Sequence, residues 1–212
     1  MAGAALAFQG NTELVALRTL LKQSPELESL AVQPPYPTVD TGMTVSIWFL
    51  LSPGVSTNKS GRWTLVGDTA TFVLMIAAYP GTKEGVAQIG VFLNLVEIRV
   101  EVPNAAIHDG EWHGFTVTSD NLSPSSQVTM YLDGLVILVK TEPGTQLDFS
   151  DLVGLTLGSR TDLSDPHHVS FNEALDGAVD DLAINKRALT GAEVAATWNQ
   201  AKEVGIDDDL VM

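Results

Sequence analysis

The chain has 212 residues, 45% of them hydrophobic, and 26 Asp plus Glu against 11 Lys plus Arg give a formal net charge of −15. The hydrophobic share excludes global disorder, and the acidic surplus works against nucleic-acid phosphates and anionic membranes. The absence of cysteine excludes disulfides and thiol chemistry, and no run approaches the ~18 apolar residues of a membrane span.

Residues 4–8 read as a first strand, with 13–15 extending its pairing. The N-terminal octet is apolar but short and lacks a basic region, so it fits a strand better than a signal peptide. Production in the cytoplasm is the expectation. Between 14 and 30 the apolar residues fall near helical spacing until Pro25, which predicts a short surface helix inserted after the first strand. Gln33-Pro34-Pro35-Tyr36-Pro37 is a stiff connector. A strand over 44–51 stops at Ser52-Pro53-Gly54, and four more follow at 63–66, 71–78, 85–93 and 95–102. In the last of these, Glu97, Arg99 and Glu101 alternate with Val96, Ile98, Val100 and Val102, so a wet face backs an apolar one.

A strand over 111–119 leads through a polar loop at 120–126 to strands at 128–132 and 135–141. These two are joined by Asp133-Gly134, a strong hairpin signal. Strands at 152–157, 169–171 and 175–184 complete the set. A helix then runs from Thr190 to about Val204. Thr190 is its N-cap, Glu193 completes a capping box, Leu189 and Val194 form a hydrophobic staple, and Gly205 supplies the stop. About a dozen short strands with frequent turns predict an all-β antiparallel sandwich of two sheets. A single domain is expected over 1–212, with a folded core at 1–205 and an acidic tail at 206–212 that carries Asp207, Asp208 and Asp209.

Several stretches carry a family resemblance. Residues 177–194 read Gly-x-Val-Asp-Asp-Leu-x-Ile-x-x-Arg-Ala-Leu-Thr-x-x-Glu-Val, which resembles the closing signature of laminin-G-like domains of the concanavalin A-like lectin and glucanase superfamily. Asp109-Gly110-Glu111-Trp112-His113 through Thr118 resembles that family's central strand, and Val128 through Tyr131-Leu132-Asp133-Gly134 resembles the hairpin after it. Leu6-Ala7-Phe8-Gln9-Gly10 and Met43 through Trp48 resemble its first two core strands. The resemblance implies a jelly roll with a short C-terminal helix. It identifies a fold and no function.

Candidate sites follow from residue type. Glu97 and Glu101 share a strand face at i and i+4, and the resemblance invites comparison with β-glucan hydrolases, whose corresponding strand bears an assisting Asp. Arg99 stands in that place here and would keep both carboxylates ionised, so a solvated, ion-paired face is the stronger reading. His113 is expected to pack structurally. His108 with Asp109, and His167 and His168 with Asp162 and Asp165, lack the fixed spacing of a metal site. Asp180 shares its alternation with Leu182 and Ile184, which predicts a carboxylate facing the core. Such a group needs amides, the favoured partners, or a structural calcium, which relatives of this fold hold with Asp and Asn side chains. No other cofactor is implied.

Trp48, Trp112 and Trp198 fall at core-like motif positions, which leaves Trp63, Tyr36 and Tyr79 as sugar-stacking candidates. A carbohydrate site would draw on Trp63, Tyr79, Glu97, Arg99 and Glu101. Trp112, Asp180, Thr190, Glu193 and Trp198 are read as structural.

The expectation is a non-catalytic recognition or assembly module. It would serve as a structural or surface component, such as a virion decoration or tail protein, with other protein subunits as partners. The absent cysteines, the acidic surface and the apolar ends at 1–8 and 210–212, which could add to neighbouring subunits as strands, support it. A carbohydrate-binding lectin is the alternative, and a β-glucan hydrolase comes third.

Overall fold

Strand β3 (Met43–Leu51) shows how the layers arise. Its odd-numbered side chains, from Met43 to Leu51, all point one way and are at most 1% exposed. Period-2 alternation therefore commits this whole face to a core. The structure is a computed structural model that describes residues 6–9, 15–16, 42–51, 62–67, 72–77, 86–93, 96–122, 125–143, 156–158, 175–185 and 187–204.

Among the described residues, the strands form two six-stranded sheets. The first contains β1 (Leu6–Gln9), β12 (Asp176–Asn185), β3, β8 (His113–Leu122), β9 (Ser125–Leu132) and β10 (Leu135–Pro143), in that spatial order. The second runs β2 (Val15–Ala16), β11 (Thr156–Leu157), β4 (Arg62–Gly67), β5 (Phe72–Ala77), β6 (Val86–Leu93) and β7 (Val96–Pro103). Every pairing is antiparallel. One apolar cluster joins the two inner faces, with Phe49 and Phe115 from the first sheet meeting Trp63, Leu65, Ile89 and Leu93 from the second.

The outer face of β3 is covered as well, because the chain returns to it after β12. Thr44 Oγ1 donates to the Arg187 carbonyl at 2.8 Å and accepts the Leu189 amide at 2.8 Å, which ties the approach to helix α1 (Gly191–Val204) onto the sheet. Trp198 of the helix then stacks on Trp48, with ring centroids 4.4 Å apart and planes at 15°. Two glycines make room for it. Gly114 is the cross-strand neighbour of Trp48, and a Cβ there would lie 2.9 Å from the Trp198 ring. Gly134 follows Asp133 in a turn where both residues have positive φ, 54° and 75°, and its own Cβ would meet Trp198 at 3.0 Å. Asp-Gly is the residue pair such a turn selects.

Several expectations change. Val15 and Ala16 pair with β11 in the second sheet, so they neither extend β1 nor begin a helix, and the rest of 14–30 lies outside the described residues. Strand β8 runs on to Leu122 and β9 begins at Ser125, so most of the expected polar loop is paired strand. Leu6 to Gln9 pair with Asp176 to Val179 of the same chain, as the outermost strand of the first sheet. The expected strand at 169–171 and the tail at 206–212 lie outside the described residues.

Candidate functional site

The outer surface of β6 and β7 gathers the three charged residues singled out in the sequence. Register sets Gln88 opposite Glu101, Gly90 opposite Arg99 and Phe92 opposite Glu97, and directly opposed residues share a face. The alternate positions Ala87, Ile89, Val91 and Leu93 are fully buried on the other side. Arg99 is the centre of the patch. Its Nη1 donates to Gln88 Oε1 at 3.1 Å and its Nη2 lies 3.4 Å from Glu97 Oε2. Gly90 permits this arrangement, since a Cβ there would sit 2.6 Å from the Ile98 carbonyl oxygen and 2.8 Å from Arg99 Cβ. Half-buried Phe92 closes one end of the patch, and exposed Glu101 stands at the other. The result is a shallow surface of planar polar groups beside one aromatic ring.

A second constellation lies at the end of the sandwich where β7 crosses to β8. His113 is 6% exposed, and its Nδ1 and Nε2 lie 3.0 Å from Asp133 Oδ2 and 3.0 Å from Asp109 Oδ1. Burial alone pulls the imidazole pKa down, and the bonds to Asp133 and Asp109 outweigh it, leaving the pKa above its ordinary value. Partial burial would lift Asp109, but His113 and the Glu111 amide hold its carboxyl below the usual range. Asp133 also accepts the Gly114 amide at 3.0 Å, so the cluster ties the Asp-Gly hairpin to the start of β8. Next to it, His108 meets Trp63 edge-on at 5.5 Å. Burial holds the His108 pKa low, and both His108 Nε2 and Trp63 Nε1 are buried without a hydrogen-bond partner among the described residues.

The remaining sequence candidates are placed as follows. Trp63 is 1% exposed and belongs to the core, so it cannot stack on a sugar. Trp112 is half-exposed ahead of β8 and is not a core residue. Tyr36 and Tyr79 lie outside the described residues, as do His167, His168, Asp162 and Asp165. Thr190 and Glu193 make the reciprocal cap: the Thr190 amide donates to Glu193 Oε2 at 2.9 Å, and the Glu193 amide to Thr190 Oγ1 at 3.3 Å.

Asp180 does not face the core. It is opposite Trp48, while Val179 before it is buried opposite Phe49. A bulge between Asp180 and Ala183 places Asp181, at φ 46°, as an extra residue, after which Leu182 and Ile184 return to the core side. Asp180 Oδ1 accepts the Asp181 amide at 2.8 Å. Asp180 is half-exposed, so burial gives no argument for a cation there. Among the described residues, no three His, Cys, Asp or Glu side chains gather to hold a metal ion. Sequence reasoning missed Gln88 and Phe92, although their period-2 spacing with Gly90 along β6 carries the signal. It also missed the two carboxylates that clasp His113.

Comparison with known proteins adds the family. No curated protein matches the sequence significantly. Among solved structures, the CBM40 module of the Ruminococcus gnavus IT-sialidase is 14% identical, with a TM-score of 0.55 over 92% of this chain and 96% of its own. The same module bound to alpha2,3 sialyllactose superposes equally. The K499G mutant of NanB sialidase from Streptococcus pneumoniae is 18% identical, with a TM-score of 0.56 over 91% of this chain and 27% of its own. The heptameric SAP-like pentraxin from Limulus polyphemus is 12% identical, with a TM-score of 0.52 over 79% of this chain and 78% of its own. At such identities these likenesses show the fold alone. The Laminin_G_3 model, described as the concanavalin A-like lectin/glucanases superfamily, matches residues 29–195, and with the paired antiparallel sheets it places this chain in that family.

Proposed function

We propose that this chain is a non-catalytic glycan-recognition module whose binding surface is the outer face of β6 and β7. One observation carries the reading: Gln88, Phe92, Glu97, Arg99 and Glu101 share that face, with Arg99 already held by Gln88 and Glu97. Planar polar groups fixed in advance lose little entropy on meeting sugar hydroxyls, and an aromatic ring offers the apolar side of a pyranose a partner. The glycan-bound R. gnavus module of similar fold is in keeping with this use. Hydrolysis fits poorly. Glu97 and Glu101 sit on one strand with Cα atoms roughly 13 Å apart, wider than the pairing of two catalytic carboxylates calls for, and Glu97 is engaged by Arg99.

A glycan array followed by calorimetry tests the reading. Arg99→Ala and Phe92→Ala should each weaken binding by about tenfold or more while melting stays near wild type. Retention of full affinity in both variants would remove this face from the site. A second reading, as a subunit of a protein assembly, is favoured by one specific observation. Strand β10 exposes Leu135 at 71%, Val136 at 55% and Val139 at 54%.

A further inference from the structure

Resting on the glycan reading above, we infer that the β6–β7 face takes neutral or amine-bearing oligosaccharides and rejects acidic ones, because it presents two carboxylates to one guanidinium. The charge is arranged as well as counted. Arg99 is engaged on both sides, by the Gln88 carbonyl oxygen and by the Glu97 carboxylate, so its positive end is spent inside the patch. Glu101, exposed at the rim, has no ion-pair partner among the described residues. An arriving glycan carboxylate would have to displace Glu97 from Arg99 and then lie beside Glu97 and Glu101. An ammonium or hydroxyl group meets no such opposition.

The rest of the molecule works in the same direction. A formal charge of −15 lowers the local concentration of any anion around the face. The remaining groups suit uncharged sugars: Gln88 offers an amide at the same rim as Glu101, and Phe92 offers a ring at the far end. Like-charge exclusion is the means by which such a surface discriminates, since it penalises the wrong ligand without tightening the right one.

The test is an array in which the same glycan backbones occur uncharged, amine-bearing and sialylated or sulfated. The wild type is expected to bind uncharged and amine-bearing members at least about fivefold better than their acidic forms at low ionic strength. The ratio should narrow as the Debye length falls from ~30 Å to ~8 Å on going to physiological salt. Glu101→Lys should melt like wild type and gain acidic ligands. Acidic forms bound as well as neutral ones by the wild type, or a Glu101→Lys variant with unchanged preference, would overturn this inference and leave glycan recognition standing. An array with no bound member at any salt concentration would overturn both.

Discussion

His113 is closed in by protein on every side except where two carboxylates reach its ring nitrogens. An imidazolium can donate to both Asp109 and Asp133. A neutral imidazole keeps one N–H, so one carboxylate then faces a lone pair. The titratable groups around it are those two aspartates and His108, whose own pKa burial lowers. Because the folded pKa is raised, the His113 contribution is fully present below about pH 6.5, the unfolded value, and is lost as pH rises through the folded pKa. Denaturation between pH 6 and 9 should show stability declining over that window. His113→Gln should flatten the decline, and an unchanged slope in that variant would place its origin elsewhere. At the helix start, Thr190→Ala should cost about 1 kcal/mol by chemical denaturation, since it strips the oxygen that meets the Glu193 amide. Bonds from Arg187 and then Thr190 hold Glu193 down to about 2, so its share of the cap is fully present above the ordinary value of 4.5 and is lost progressively as pH falls from there through about 2.

At the scale of elements, legibility depended on whether a strand kept its period. The capped helix, the Asp-Gly hairpin and the alternation of β7 were all readable because short-range rules decide them. Strand β12 was not. Val179, Leu182 and Ile184 are three apolar residues at spacings of three and two, and no regular strand can place all of them on one face. The structure resolves this by inserting Asp181 as a bulge, and reading inward from Leu182 and Ile184 alone put Asp180 on the wrong side. The same irregularity occurs in β4, where a register shift between Thr64 and Val66 buries both Leu65 and Val66. Trp63 could not be recognised as core because the strand supplying its environment lies elsewhere in the sequence. Asp181 provides the check on the bulge. Partial desolvation and then the Asp180 charge raise its carboxyl pKa, and its φ is one that few residues tolerate. Asp181→Ala should destabilise by about 1 kcal/mol, whereas Asp181→Asn, which tolerates positive φ and removes the repulsion, should equal or exceed wild type. A tolerated Ala would mean that the strand is regular and the bulge absent.

Across the whole molecule, the two edges of the first sheet are unequal. Short β1 forms one, and β10, nine residues long, forms the other. A terminal strand offers a row of backbone donors and acceptors, and proteins usually guard such rows with charge, proline or a bulge. Strand β10 has a register shift between Val136 and Leu138 and carries Lys140, Glu142 and Pro143 at its far half, yet Leu135, Val136 and Val139 are exposed. Opposing any self-association is the net charge of −15, whose repulsion reaches furthest in dilute salt. These two terms predict association that strengthens with ionic strength, the reverse of what a salt-bridged contact would give. Light scattering should therefore report the 22.6 kDa monomer at low salt and a larger mass as salt and protein concentration rise. The double substitution Val136→Lys and Val139→Lys should restore the monomer without lowering the melting temperature, because both side chains already face water. A wild type that stays monomeric throughout would leave β10 as a tolerated edge and remove self-assembly from what this chain does.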